Sequence, residues 1–176
     1  MRIKELVPLF TAEQIDRRIR ELAGQINDLY AGRQLVLVCV LKGAFMFFSD
    51  LVKHVTVSPE IDFVRLASYG RGDTSSGSIS FSKDVELPLA GKDVVLVEDI
   101  VDSGRTMDFL LRQMQARGAA SLRVAALVDK SERREVDVRV DFAGFSVSSG
   151  FIVGYGLDYA EHCRELPAIY TAVIEE

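Results

Sequence analysis

Along residues 11–32, TAEQIDRRIRELAGQINDLYAG, apolar side chains return every third or fourth position at Ile15, Ile19, Leu22, Ile26 and Leu29. That period gathers them on one face of a helix and leaves the charged residues between them to water. Thr11 followed by Gln14 has the form of a capping box, and Gly32 suits the position just past the last turn. The next stretch, QLVLVCVL at 34–41, is apolar without a break and rich in β-branched residues. Such a run predicts a strand covered on both faces. A short loop and a helix are expected in KGAFMFFSDLVKHV, 42–55.

A second strand is predicted at 61–68, IDFVRLAS. YGRGDTSSGS at 69–78 consists of turn formers and small polar residues, the composition of a mobile loop, and ISFSKDVEL at 79–87 reads as the returning arm of that long hairpin. DVVLVED at 93–99 is a further buried strand, GRTMDFLLRQMQARG at 104–118 a helix ended by Gly118, and SLRVAALVD at 121–129 another strand. SERREVDVRVDF at 131–142 predicts a solvated connection with an irregular strand. GFIVGYGLDY at 150–159 and AIYTAVIE at 168–175 are expected to be strands. Apolar strands alternating with amphipathic helices predict an α/β fold with a mainly parallel sheet. No repeat, low-complexity tract or linker interrupts the pattern, so residues 1–176 are expected to form a single domain.

Composition narrows the partners. The 176 residues suffice for one domain with its own core, and 48% apolar with 27% charged residues is globular. A net charge of -5 argues against a general nucleic-acid binder, while leaving room for a local basic pocket that takes a phosphorylated small molecule. Cys39 and Cys163 lie far apart without CxxC or Cys/His spacing, which suggests neither a zinc site nor a redox pair. MRIKELVPLF at the start is charged and broken by Pro8, unlike a secretion signal. No apolar run approaches the ~18 residues of a membrane span. A cytoplasmic chain without membrane or nucleic-acid partners is the expectation.

The chemistry concentrates in VVLVEDIVDSGRTM, 94–107. In open parallel sheets ligands bind at the carboxyl ends of strands, and Glu98 and Asp99 stand at such an end. Adjacent strand residues point to opposite faces, so the two carboxylates are not expected to duplicate each other, and adjacent acids there suit a sugar diol or a Mg²⁺ shell. DSGRT then opens a helix whose first amides are free to bind phosphate. Gly104 allows close backbone approach, and Ser103 and Thr106 add hydroxyls. Together these features suit a ribose phosphate. The competing reading is a plain helix cap by Asp102 or Ser103. The Walker pattern GxxxxGK[ST] is absent.

The full string 94–107 closely resembles the phosphoribosyl-pyrophosphate signature of type I phosphoribosyltransferases. VLKGAFMF at 40–47, ASYG at 67–70 and FIVGYGLDY at 151–159 resemble the hypoxanthine-guanine members, in the family's order and over nearly the whole chain. The resemblance implies a central, mainly parallel sheet flanked by helices, with a small hood built from the chain ends. It also implies transfer of 5-phosphoribose from phosphoribosyl pyrophosphate to N9 of hypoxanthine or guanine, giving IMP or GMP plus pyrophosphate, with Mg²⁺ as cofactor. Homodimers or homotetramers are implied as well. A xanthine-preferring enzyme and a non-catalytic phosphoribosyl-pyrophosphate sensor are the alternatives within the family. A sensor would have lost the base pocket or gained a DNA-binding extension.

Carried across by position, the resemblance assigns the 5′-phosphate to Asp102, Ser103, Gly104, Arg105 and Thr106. Glu98 and Asp99 fall to the ribose hydroxyls and Mg²⁺, and Asp102 to the proton at N7 of the purine. Leu41, Lys42 and Gly43, whose Leu-Lys peptide is commonly cis in the family, form with Arg164 the pyrophosphate contacts. Ser68 and Tyr69 belong to a flexible loop that closes over the site. Lys130 matches the donor to the 6-oxo group, Phe151 the stacking ring, Ile152 the backbone contact to the purine edge, and Asp158 a carboxylate at the purine and a second Mg²⁺. Gly150 stands where relatives often carry a lysine, which bears on base preference. Arg105 replaces a lysine in the phosphate turn.

Overall fold

The computed structural model describes residues 2–69 and 78–175. Helix α1, Ala12–Tyr30, begins at the expected capping box: Thr11 Oγ1 accepts from Gln14 N, and the Gln14 side chain accepts from Thr11 N. Beyond its end, Gly32 takes φ +74. The buried stripe is Ile15, Ile19, Leu22, Ile26 and Tyr30, not Leu29, which is 38% exposed. Stepping four residues from Ile26 instead of three keeps the stripe centred, because each residue turns by about 100°.

Strands β1 (Arg2–Phe10), β2 (Leu35–Leu41), β3 (Glu60–Tyr69) and β4 (Ser78–Lys83) are joined by helix α2, Phe45–Val52, between β2 and β3. β5 (Asp93–Val101), helix α3 (Arg105–Ala116) and β6 (Ser121–Lys130) follow, then β7 (Phe142–Val147), β8 (Ile152–Val153) and β9 (Ile169–Glu175). Six strands make one sheet in the order β4-β3-β2-β5-β6-β7, parallel except for the β3–β4 pair. The expected hairpin is present as that pair, and residues 70–77 at its tip lie outside the described residues.

Strand alternation divides the core. Leu35, Leu37, Cys39, Val95 and Val97 pack toward α1 and α2, whereas Val36, Val38, Val40, Val94 and Leu96 pack toward α3. Both faces of β2 and β5 are therefore dry, as a continuous apolar run requires. The consequence for the site is geometric: β2, β5 and β6 run parallel, so their carboxyl ends, at Leu41, Val101 and Lys130, open on one edge.

Two expectations need correction. Residues 131–141 contain no strand; the ladder resumes only at β7, 142–147. Residues 150–159 are a strand only over Ile152–Val153, after which the chain turns through Gly154, Tyr155 and Gly156 at positive φ. The hood is β1-β9-β8, antiparallel and built from both chain ends, with β1 a strand that the apolar pattern alone did not announce. Phe10 stacks on Phe145 with ring centroids 4.0 Å apart, and Arg18 of α1 donates to the carbonyls of Ala143 and Gly144. These contacts fasten the hood and α1 to the edge strand.

Candidate active site

Three clefts adjoin at the carboxyl edge of the sheet, and Asp99 lines all of them. One is walled by the turn from Asp102 to Gly104, with Thr106 and Met107 of α3. A second holds Lys130, Phe151, Ile152 and Asp158, and a third holds Leu41, Lys42, Gly43, Asp158 and Arg164.

The helix-cap reading of the turn fails on geometry. Gly104 is the N-cap residue of α3, at φ +83, and it offers no side-chain cap. The nearest substitute, Ser103 Oγ, is a long 3.4 Å from Arg105 N. A twelve-residue helix thus presents its first amides and the positive end of its dipole to the cleft, the arrangement that draws phosphate. Left-handed φ is one reason for glycine at 104; the other is that a Cβ there would lie 2.4 Å from the Val136 carbonyl oxygen.

That turn is clamped from behind. Ser103 O accepts from both Glu135 N (2.9 Å) and Val136 N (3.0 Å), and Arg105 pairs with Glu135. Arg134 reaches under the strand ends. Its guanidinium donates to the carbonyls of Asp102 (2.9 Å), Val101 (3.0 Å), Lys130 (3.2 Å) and Val138 (3.1 Å), and also to the Asp129 carboxylate. A planar fork of donors is what lets one residue satisfy so many acceptors. With the carbonyls drawn backward, the amides of the turn face the cleft.

Glu98 and Asp99 lie near the carboxyl end of β5, and each carboxylate folds back to accept the next backbone N–H, at 3.1 Å and 2.9 Å. Burial pushes the Glu98 carboxyl well above its ordinary range, and the adjacent Asp99 charge pushes it further. Burial also raises Asp99. Two acids held together in a dry place favour a shared positive partner. Among the described residues no group of three or more His, Cys, Asp or Glu side chains gathers as a metal cage. Two carboxylates nevertheless fit Mg²⁺, which keeps several waters and takes one or two protein acids beside substrate oxygens.

In the second cleft Lys130 is buried, with its ammonium 3.2 Å from Glu132 and 3.9 Å from Asp102. Oδ1 of Asp102 is buried without a hydrogen-bond partner among the described residues. An unmet carboxylate oxygen on a residue that lines two clefts calls for a partner that a bound ligand can supply. Phe151 is 39% exposed, stands perpendicular to Tyr159 with ring centroids 5.5 Å apart, and lines the second cleft, where a flat ligand ring could stack. Ile152 is buried in the hood ladder against Thr171.

In the third cleft the Leu41–Lys42 peptide is cis. Arg164 donates to Gly156 O at 2.7 Å and pairs with Asp158 Oδ1 at 2.8 Å. Ser68 and Tyr69 close β3 by pairing with Ile79 and Ser78; the rest of the loop expected to cover the site lies outside the described residues.

A model of the phosphoribosyl transferase domain matches residues 9–160. This chain belongs to the phosphoribosyltransferase family. Among its relatives, a hypoxanthine-guanine phosphoribosyltransferase of Streptococcus thermophilus is 44% identical over 168 residues, 96% of this chain and 92% of that protein. The Bacillus subtilis protein of the same name is 40% identical over 161 residues, 92% and 89% of the two chains. A crystal structure of a hypoxanthine phosphoribosyltransferase from Staphylococcus aureus superposes with a TM-score of 0.90 at 38% identity, over 97% of this chain and 92% of that one.

Within this family member the structure brings the sequence-assigned residues 98–99, 102–104, 106, 41–43, 130, 151–152, 158 and 164 to one edge of the sheet, whereas Arg105 lines none of the three clefts and pairs with Glu135. Sequence reasoning missed Arg134, Glu132 and Glu161. All three sit in charged stretches that resemble solvated surface, and no periodic signal separates Arg134 from Arg133 beside it.

Proposed function

We propose that this chain carries out purine salvage as a hypoxanthine-guanine phosphoribosyltransferase. It moves the 5-phosphoribosyl group of phosphoribosyl pyrophosphate to N9 of hypoxanthine or guanine, releasing IMP or GMP and pyrophosphate. The observation that carries this reading is the junction at Asp99, where an uncapped helix start, a lysine-bearing cleft and a pair of cations converge. A donor with a 5′-phosphate and a diphosphate on one ribose, meeting a 6-oxopurine, has matching parts at matching ends.

In this reading the amides and hydroxyls of 102–106 grip the 5′-phosphate, and Lys42, Gly43 and Arg164 receive the diphosphate. The ribose hydroxyls rest on Glu98 and Asp99. Lys130 donates to the 6-oxo oxygen, a choice that rewards hypoxanthine and guanine and repels the amino group of adenine. The Phe151 face stacks on the base, and the backbone of Ile152 meets its edge. The N9 lone pair then forms the bond to the anomeric carbon while the carbon–oxygen bond breaks and its electrons leave with pyrophosphate. The N7 proton passes to the carboxylate of Asp102, a residue that lines both the phosphate-turn cleft and the base cleft. Glu98, Asp99 and, beyond the Arg164 pair, Asp158 would hold Mg²⁺, which would supply positive charge to offset that of a bound diphosphate.

The direct test is to incubate the chain with phosphoribosyl pyrophosphate, Mg²⁺ and hypoxanthine, guanine, xanthine or adenine in turn, following nucleotide by chromatography. IMP and GMP should form, and AMP should not. Nucleotide from xanthine alone would replace the reading with a xanthine-preferring enzyme. No nucleotide from any base would favour a sensor, although the intact base cleft with Lys130 and Phe151 speaks for catalysis.

A further inference from the structure

Lys42 and Arg164 reach across the third cleft to the same atom. Oε2 of Glu161 lies 2.9 Å from Lys42 Nζ and 3.3 Å from Arg164 Nη2. Two cations that share one oxygen stand close enough for a single phosphoryl group to bridge them instead. The carboxylate is brought there by its backbone. Glu161 sits at φ +68, its N–H donates to Asp158 Oδ2 at 2.8 Å, and the turn is closed by reciprocal backbone bonds between Tyr159 and His162. The side chain itself is 63% exposed, so rotation about its own bonds takes it into water.

We infer that Glu161 is an internal stand-in for the diphosphate. It occupies Lys42 and Arg164 before substrate arrives, yields both cations when the diphosphate enters, and reclaims them as pyrophosphate departs. The inference rests on the reading of Lys42 and Arg164 as diphosphate contacts. A carboxylate carries one charge and meets both cations through one oxygen. A diphosphate carries more charge and offers each cation its own oxygen, so it prevails.

The two cations respond differently to that exchange. Arg164 stays anchored by Asp158 and Gly156 O, whereas Lys42 has no other ion pair among the described residues and is handed from carboxylate to ligand. Only molecules with Glu161 turned away are competent to bind, and apparent affinity falls by that fraction. The penalty applies equally to the donor's diphosphate and to the product, and on the product side it hastens release.

Calorimetric titration of the full chain with inorganic pyrophosphate in the presence of Mg²⁺ tests this. Glu161→Gln keeps the shape and removes the charge; its dissociation constant should fall roughly two- to fivefold, the scale of an exposed ion pair. Glu161→Ala should move the same way, and product inhibition by pyrophosphate should deepen in step. Unchanged or weaker binding in both variants would overturn the role of Glu161. If the unmodified chain neither binds Mg²⁺-pyrophosphate nor makes nucleotide, the diphosphate reading itself falls; if it does both while the variants are indifferent, only Glu161 is dismissed.

Discussion

Gly43 and Asp99 meet so closely that no side chain fits between them: a Cβ on residue 43 would lie 1.7 Å from Asp99 Oδ2. The turn after β2 and the acid near the end of β5 are therefore seated against each other as one surface. Gly43→Ala forces the Asp99 carboxylate aside or opens the turn. Displacing a positioning group by an ångström can cost about 10²-fold in rate. We expect kcat/KM for phosphoribosyl pyrophosphate to fall by about that factor while the circular dichroism spectrum is preserved. Kinetics like those of the unmodified chain would show that Asp99 has freedom the packing denies it.

Asp102→Asn keeps the shape of the side chain but cannot take a proton. Turnover should drop by ~10²–10⁴, the usual contribution of a positioned acid-base group. Single-turnover measurement with hypoxanthine separates this from product release, and a variant that turns over normally would remove Asp102 from the chemistry.

Lys130 is buried beside Glu132 and Asp102, so its ammonium is pre-aimed into the base cleft. For Lys130→Ala the loss in kcat/KM with hypoxanthine should exceed the loss in affinity for phosphoribosyl pyrophosphate. Equal losses would argue that the lysine supports the cleft without reading the base.

Arg134→Lys replaces a fork by a single ammonium, leaving carbonyls of Val101, Asp102, Lys130 and Val138 short of donors. Each unmet buried acceptor is costly, and we expect a loss of about 2–4 kcal/mol in urea unfolding. Stability within experimental error of the original would mean that water replaces the guanidinium at that position.

Asp62 gives a pH signature away from the site. Burial raises its carboxyl, but N–H donors from Leu87, Phe63 and Glu86 outweigh that and hold it below the ordinary range. A depressed acid contributes stability above its unfolded pKa of about 3.9, and the contribution disappears as pH falls through the folded value. Asp62→Asn should therefore be less stable than the original near neutrality, with the gap closing as pH drops below about 4. Unfolding curves across that range check it; a gap independent of pH would assign the effect to packing.

Much of the scaffold was legible because it is local. The α1 stripe, the capping box and the dry runs of β2, β5 and β6 each follow from periodicity within a few residues. The phosphate turn was legible for a similar reason: consecutive small residues before a helix define a backbone geometry without distant help. Leu29 and the long strand expected at 150–159 were misread where two local solutions are nearly equal. Packing against the sheet selected Tyr30 over Leu29, and turns at Gly154 to Gly156 ended β8 early.

From the chain alone came the order of elements from α1 to β6, the acid pair near a strand end, and the motif that named a family. The partners of those residues were decided only when segments far apart in sequence met. Arg134 under Asp102, Gly43 against Asp99 and Glu161 between Lys42 and Arg164 are all such meetings. Charge and size in a one-dimensional string do not say which arginine is buried or which acid faces which base. That is settled by strand register and by where each connecting loop returns to the sheet.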